Sequence, residues 1–353
     1  MEEKIALVAM SGGVDSSAAA YLTAQAGYRC IGAIARLCDS SLPGCSDPDG
    51  SIEDARAVAR RLGMEFLVLD RTDAFRTEVV DYFVNTYEQG ATPNPCIRCN
   101  NTMKFGGLLE QALALGCSKI VTGHYAQIRQ DPASGRYLLY KAVDESKDQS
   151  YFLAGLSQHQ LAHTLFPLGA LTKEQARAIA QEQGFVNARK KDSQDVCFIP
   201  DGDFAAFLTR YTGKTYPQGD FLDLTGQVVG KHSGAVRYTL GQRKGLGLAM
   251  GAPVYVCGKD MDANTVTVGP NQALFTSELV AKDWNWIPFP ALTEPMQVTA
   301  KARSRHAGAA ATVYPLPDGT SKVVFDEPQR AITAGQAVVL YRDDLVIGSG
   351  TIL

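Results

Sequence analysis

Two segments and one distant thiol hold the residue types that could do chemistry in this chain. Met10-Ser-Gly-Gly-Val-Asp-Ser-Ser17 follows a continuous apolar run at residues 5–10 and opens a helical stretch at 15–25. Paired glycines let the backbone turn tightly enough for its N–H groups to face an anion. The helix N-terminus adds its positive dipole end, and Ser11, Ser16 and Ser17 add hydroxyl donors. No Gly-Lys-Ser/Thr follows, so the segment is not a Walker-type loop built around a γ-phosphate. Thr92-Pro-Asn-Pro-Cys-Ile-Arg-Cys-Asn100 is a proline-bounded loop with two thiols beside Arg98. Cys197 follows Arg189, Lys190 and Lys191, and nearby cations favour the reactive thiolate over the thiol. Other readings stay open at this level. Within Val-Cys-Phe-Ile, Cys197 reads as a core residue, and Cys96 and Cys99 alone could be half a zinc site or a redox pair.

The elements that must position these groups follow from periodicity. Apolar runs at 5–10, 30–35, 66–69 and 119–122 alternate with helical stretches at 15–25, 52–62, 75–87 and 108–115. That alternation indicates an α/β fold with a doubly wound parallel sheet, whose ligands bind at the carboxyl ends of the strands. Arg129–Gly135 reads as the turn of a hairpin added to that sheet. Beyond residue 200 glycine becomes frequent, and short alternating runs at 254–256, 265–268, 297–301, 311–314, 322–325 and 337–340 indicate small β structures. The expected organisation is an α/β domain at 1–204, a small mixed middle domain at 205–272 and a C-terminal β-barrel at 273–353.

Composition narrows the class. The chain has 353 residues, 34 Lys+Arg against 37 Asp+Glu, and 45% hydrophobic residues, which excludes a disordered chain. No apolar run approaches the roughly 18–20 residues of a membrane span, and the acidic start does not read as a signal peptide. A cytoplasmic protein with no membrane partner is expected. The net charge of −3 excludes a bulk polyanion binder, so any nucleic acid must meet a local basic surface. Residues 187–260 provide a modest one, with ten Lys/Arg against seven Asp/Glu, a local +3. Cys30, Cys117 and Cys257 read as core residues. Cys38 and Cys45 share an acidic loop with Asp39, Asp47 and Asp49, a weak metal candidate. His159 and His163 have metal-ligand spacing, but Gln160 stands where a zinc hydrolase needs a general-base Glu, so a surface helix pair is expected.

The Ser-Gly-Gly-Val-Asp-Ser string resembles the PP-loop of ATP pyrophosphatases, which adenylate a substrate and release pyrophosphate. With Pro-Asn-Pro-Cys, Thr122-Gly-His-Tyr-Ala126, Lys147-Asp-Gln-Ser-Tyr-Phe-Leu153, Asp192-Ser-Gln-Asp-Val-Cys-Phe-Ile199 and Tyr238-Thr-Leu-Gly-Gln-Arg-Lys-Gly-Leu-Gly247, the whole chain resembles the bacterial tRNA-specific 2-thiouridylases (MnmA/TrmU family). The resemblance implies ATP at Ala9, Met10, Ser11, Gly12, Gly13, Val14, Asp15, Ser16, Ala35 and Gly123. It implies a target base facing Asn94, Pro95 and Cys96, a nucleophile at Cys99 and a persulfide carrier at Cys197. His124, Lys147, Asp148, Gln149, Arg303, Ser304 and Gln336 match positions that contact tRNA in that family.

The implied activity is ATP-dependent replacement of the C2 oxygen of the wobble uridine (position 34) by sulfur, in tRNAs such as those for Lys, Glu and Gln. Mg²⁺ would accompany ATP, and a cysteine desulfurase or sulfur-relay protein would supply sulfur. Two sulfur routes are open: a persulfide on Cys197 resolved by Cys99, or a [4Fe–4S] cluster held by Cys96, Cys99 and Cys197. Two other functions compete: an adenylating ligase or amidotransferase acting on a small molecule, and a non-catalytic RNA-binding module.

Overall fold

The first apolar run forms β1 (Ile5–Ala9), in which Ala6, Leu7 and Val8 have no exposed surface. A strand buried on both faces calls for parallel neighbours covered by helices. The computed structural model, which describes residues 4–39, 41–43, 48–190 and 196–353, supplies them. β1 pairs in parallel with β2 (Arg29–Arg36), which pairs with β3 (Glu65–Asp70). On its other side lies β4 (Lys119–Val121), followed by the short edge strand β7 (Thr164–Leu165). Strand order reverses between β1 and β4, which creates a crevice at their carboxyl ends. α1 (Val14–Gln25) packs Ala18, Ala19 and Ala20 into the core with Ala176 and Ala180 of the helix Lys173–Glu182. These small side chains let the two helices approach closely.

Arg129–Gly135 does turn a hairpin, between β5 (Gln127–Gln130) and β6 (Tyr137–Tyr140). It does not extend the parallel sheet. β6 instead meets the C-terminal sheet, Tyr140 opposite Leu345, because β7 already occupies the parallel edge beside β4.

The middle segment opens with the helix Phe204–Thr212, capped by the Asp203 carboxylate accepting from the Ala206 N–H at 2.9 Å. A four-stranded sheet follows, built from β8 (Gly219–Leu222), β9 (Val228–His232), β10 (Tyr255–Asp260) and β11 (Thr265–Gly269), in the order β10-β11-β8-β9. The last segment contains β12 (Phe275–Trp286), β13 (Met296–Lys301), β14 (Ala309–Pro315), β15 (Ser321–Arg330), β16 (Ala337–Arg342) and β17 (Leu345–Ile352). Antiparallel pairing of β12 with β17 closes these six strands into a barrel.

Both tryptophans of the chain, Trp284 and Trp286, stack on the barrel with centroids 4.6 Å apart and planes 7° apart. They lie against two glycines of β17: a Cβ on Gly350 would come within 2.9 Å of the Trp284 ring. Gly350→Val should therefore cost about 1–3 kcal/mol by overpacking. Urea unfolding followed by tryptophan fluorescence measures this, since the stacked pair is the only indole signal.

Candidate functional site

The glycine-rich turn after β1 is shaped by contacts that tolerate no side chain. Gly12 has φ +70°, and a Cβ there would lie 2.4 Å from the Ser51 carbonyl oxygen. Gly123, at the carboxyl end of β4, approaches so closely that its Cβ would sit 2.6 Å from the Asp15 carbonyl carbon and the Ser16 nitrogen. Ser16 Oγ accepts from the Ser11 N–H at 3.1 Å, and Asn187 Nδ2 donates to Gly12 O at 3.0 Å and to Ser17 Oγ at 2.9 Å. Val14 and Ser16 are buried, and Met10 is tied to Ala33 by a backbone bond of 2.8 Å. Ala35 stands half-buried near the carboxyl end of β2. The Asp15 carboxylate accepts from Lys173 Nζ at 2.7 and 2.8 Å and from the Tyr125 hydroxyl at 2.9 Å. The turn is thus a preformed anion cradle at the switch point, with its own negative charge neutralised.

The proline-bounded loop becomes the helix Pro95–Cys99, with Asn94 as N-cap accepting from the Ile97 N–H at 3.2 Å and Pro95 in the first turn. Gln336, from the barrel, donates through Nε2 to the carbonyls of Thr92 and Pro93, both at 3.0 Å. The Tyr151 hydroxyl donates to the Ala337 carbonyl of the barrel at 2.8 Å, near the Arg303 charge. The parallel-sheet segment and the barrel therefore share the loop.

Cys96, Cys99 and Cys197 are free thiols that come within electrostatic reach of one another. Cys197 is not a core residue. Its neighbours Phe198 and Ile199 are the buried ones, Phe198 lying edge-on to Phe83 with centroids 5.3 Å apart and 5.2 Å from Phe207. The aromatic cluster pins the segment while Cys197 projects to an exposed face. Crowding raises the Cys197 thiol, through burial first and then Cys99 and Cys96, although solvent at its exposed face relieves part of that penalty. Burial raises Cys99, and crowding by surrounding protein raises Cys96 although its side chain keeps an exposed face.

The cation that opposes these shifts is Lys104, which the sequence pattern did not single out. Arg98 turns away: it pairs with Glu78 and lies over the Tyr82 ring, 5.7 Å from its centroid. Lys190 pairs with Asp54 at 2.8 Å. Lys104 Nζ lies 3.5 Å from Nε2 of His124, which is buried, and Thr122 Oγ1 lies 2.7 Å from the other ring nitrogen. Burial, then the lysine charge, holds His124 well below the usual imidazole range. An ammonium can only donate, so Nε2 accepts and Nδ1 carries the proton toward Thr122. A continuous path thus runs from the cradle through Gly123 and His124 to Lys104 and the thiols.

Asp148 is a structural anchor, accepting from the N–H groups of Ala142 and Ser150, both at 3.1 Å, and from Ser150 Oγ at 2.8 Å. Gln149 Oε1 accepts from the Tyr125 N–H at 2.9 Å. Lys147 and Ser304 are half-buried, and Arg303 donates to the Arg330 carbonyl at 3.3 Å. The rings of His159 and His163 lie 4.5 Å apart and tilted by 45° along the short helix Gln158–Ala162, where Gln160 completes a capping box. Cys38 is engaged in a disulfide; Cys45, Asp47, Lys191 and residues 192–195 lie outside the described residues. Among the described residues no three His, Cys, Asp or Glu side chains gather closely enough to hold a metal ion. No helix among them is long and apolar enough to cross a membrane.

Three family models match consecutive parts of the chain: a tRNA methyl transferase HUP domain at 4–201, a tRNA methyl transferase PRC-barrel domain at 205–270 and an aminomethyltransferase beta-barrel domain at 276–352. The chain is similar over its full length to curated proteins called tRNA-specific 2-thiouridylase MnmA. That of Heliobacterium modesticaldum is 48% identical over 360 residues, covering 100% of this chain and 93% of the relative. Those of Acetivibrio thermocellus and Clostridioides difficile are 46% and 44% identical, with 100% of this chain and 100% and 98% of the relatives covered.

Proposed function

Since the chain belongs to the tRNA-specific 2-thiouridylase family, we propose that it is an ATP-dependent tRNA sulfurtransferase that converts the C2 carbonyl of the wobble uridine to a thiocarbonyl. The observation that carries this reading is the continuity between the anion cradle and the cluster of Cys96, Cys99 and Cys197. The cradle holds the triphosphate with backbone N–H groups and the hydroxyls of Ser11 and Ser16. Asn94, Pro95 and Cys96 face the base, and Mg²⁺ enters with the nucleotide's phosphates.

The uracil O2 attacks the α-phosphorus and pyrophosphate leaves, which turns a poor leaving group into AMP. The terminal sulfur of a Cys197 persulfide attacks C2 and AMP departs. The Cys99 thiolate then attacks the Cys197 sulfur, breaks the S–S bond and leaves sulfur on C2. A disulfide between Cys99 and Cys197 results, and an external thiol reductant returns both to thiols. A cysteine desulfurase or sulfur-relay protein supplies the next sulfane sulfur. This dependence on reduced thiols supports a cytoplasmic site of action. A small-molecule ligase would need neither cysteine, and a binding module would release no AMP.

The test is AMP and pyrophosphate release with and without tRNA, alongside mass spectrometry of tRNA nucleosides. Release that ignores tRNA, or tRNA that gains no 2-thiouridine, would overturn the reading. The RNA surface has its own measurement. tRNA affinity should fall with salt as counterions are released from several phosphates, and Lys147→Ala or Arg303→Ala should flatten the log–log slope by about one. A slope unchanged in both variants removes these residues from the interface.

A further inference from the structure

The segment after Cys99 is a π-helix, Asn100–Leu108. In an α-helix of 3.6 residues per turn, five residues advance about 500°, leaving positions 99 and 104 about 140° apart. A π-helix bonds i to i+5 and brings the fifth residue back over the first. This wide turn is built into the sequence and its neighbours. A Cβ on Gly106 would meet the Asn101 carbonyl oxygen at 2.9 Å. Gln160 Nε2 donates to the carbonyls of Asn101 and Phe105 at 3.1 and 2.9 Å, Arg71 Nη2 to that of Gly107 at 2.8 Å, and Asn100 Nδ2 to that of Phe152 at 3.0 Å. Gln160 therefore braces the π-helix from the position where a zinc hydrolase would carry its base.

We propose that the π-helix exists to return Lys104 to the face of Cys99, where its ammonium, steadied by the neutral His124 ring, supplies the positive charge that anionic sulfur on Cys96, Cys99 and Cys197 requires. Lys104 acts through the thiols, and His124 is the positioning residue that keeps its side chain in line. The Lys104 charge favours the anionic form of all three thiols against the crowding that disfavours it, while Arg98 and Lys190 are occupied by Glu78 and Asp54. The inference rests on the sulfur-transfer reading above for its purpose, although the charge itself can be measured independently.

Local charge is read by alkylating the full-length protein at one pH and low salt with iodoacetate, an anion, and iodoacetamide, its neutral counterpart, and following each cysteine by peptide mass spectrometry. The ratio of the two rates cancels exposure and thiolate fraction, leaving the field at the sulfur. Lys104→Met should lower the ratio at Cys99 about fivefold or more. Lys104→Arg should hold it within about twofold, and Cys257 in β10 should not change in either. Gly106→Ala, which keeps the lysine but crowds the wide turn, should lower the ratio as well. An unchanged ratio at Cys99 in Lys104→Met overturns the proposal. Should that variant fail to fold, a wild-type ratio in Gly106→Ala overturns it equally. Full thiolation by Cys99→Ser would defeat the nucleophile assignment alone, because the ratios at Cys96 and Cys197 would still fall in Lys104→Met.

Discussion

Cys99→Ser and Cys197→Ser should each reduce 2-thiouridine formation roughly 10³-fold or more, while tRNA-dependent pyrophosphate release persists and AMP release, which requires sulfur on Cys197, is lost in Cys197→Ser. The split follows from geometry: neither thiol belongs to the cradle proposed for the nucleotide, and both belong to the cluster proposed for sulfur transfer. Residues that act as one unit lose function non-additively, so the double variant should be no slower than either single one. Cys99→Ser should also accumulate a base-linked species on Cys197, because the second attack on the S–S bond is missing. Nucleoside mass spectrometry and trapping of protein-bound tRNA read the two effects. Wild-type thiolation by either variant would remove that cysteine from the mechanism.

The next largest effect is expected from a single methyl group. Gly123→Ala places a Cβ where the Asp15 carbonyl carbon and Ser16 nitrogen stand 2.6 Å away, and neither is the end of a flexible side chain. The cradle must shift off the end of β4, and a displacement near 1 Å at a reacting centre costs on the order of 10²-fold. Adenylation should fall by at least that factor with tRNA affinity nearly unchanged, because the proposed tRNA contacts at Lys147, Arg303 and Gln336 lie on other elements and His124 is buried. Pyrophosphate release and a tRNA-binding isotherm on one preparation decide it. Equal loss of both would mean that Gly123 serves the fold rather than nucleotide placement.

What was legible in the sequence was whatever follows local rules. Buried parallel strands read as apolar runs, and the Ser-Gly-Gly-Val-Asp-Ser turn appears at the switch point of the sheet with Gly12 at the positive φ its type allows. Cys197 was ambiguous because burial of Phe198 and Ile199 says nothing about the residue before them; only the aromatic cluster with Phe83 and Phe207 fixes which side chain faces out. Lys104 escaped because a 3.6-residue period puts it on the wrong face of Cys99, and a π-helix leaves no simple periodic signature. Gln336 and Arg303 were tied to the site by family resemblance, since contacts spanning more than 200 residues, such as Gln336 to Thr92, have no local trace.

The hairpin of β5 and β6 carries a consequence for any attempt to shorten the protein. β6 lies in one sheet with β17, and the graft is reinforced by Arg136 Nε donating to the Ile287 carbonyl at 2.9 Å, Lys141 Nζ to that of Asp343 at 2.9 Å and Asn285 Nδ2 to that of Ala154 at 2.8 Å. Severing the chain ahead of β12 would strip these partners and uncover the fully buried Leu139 beside a raw strand edge. Bare edges recruit other chains. A truncated nucleotide-binding half should consequently self-associate instead of circulating as a tidy monomer, which makes the barrel a guardian of solubility as well as a partner of the loop.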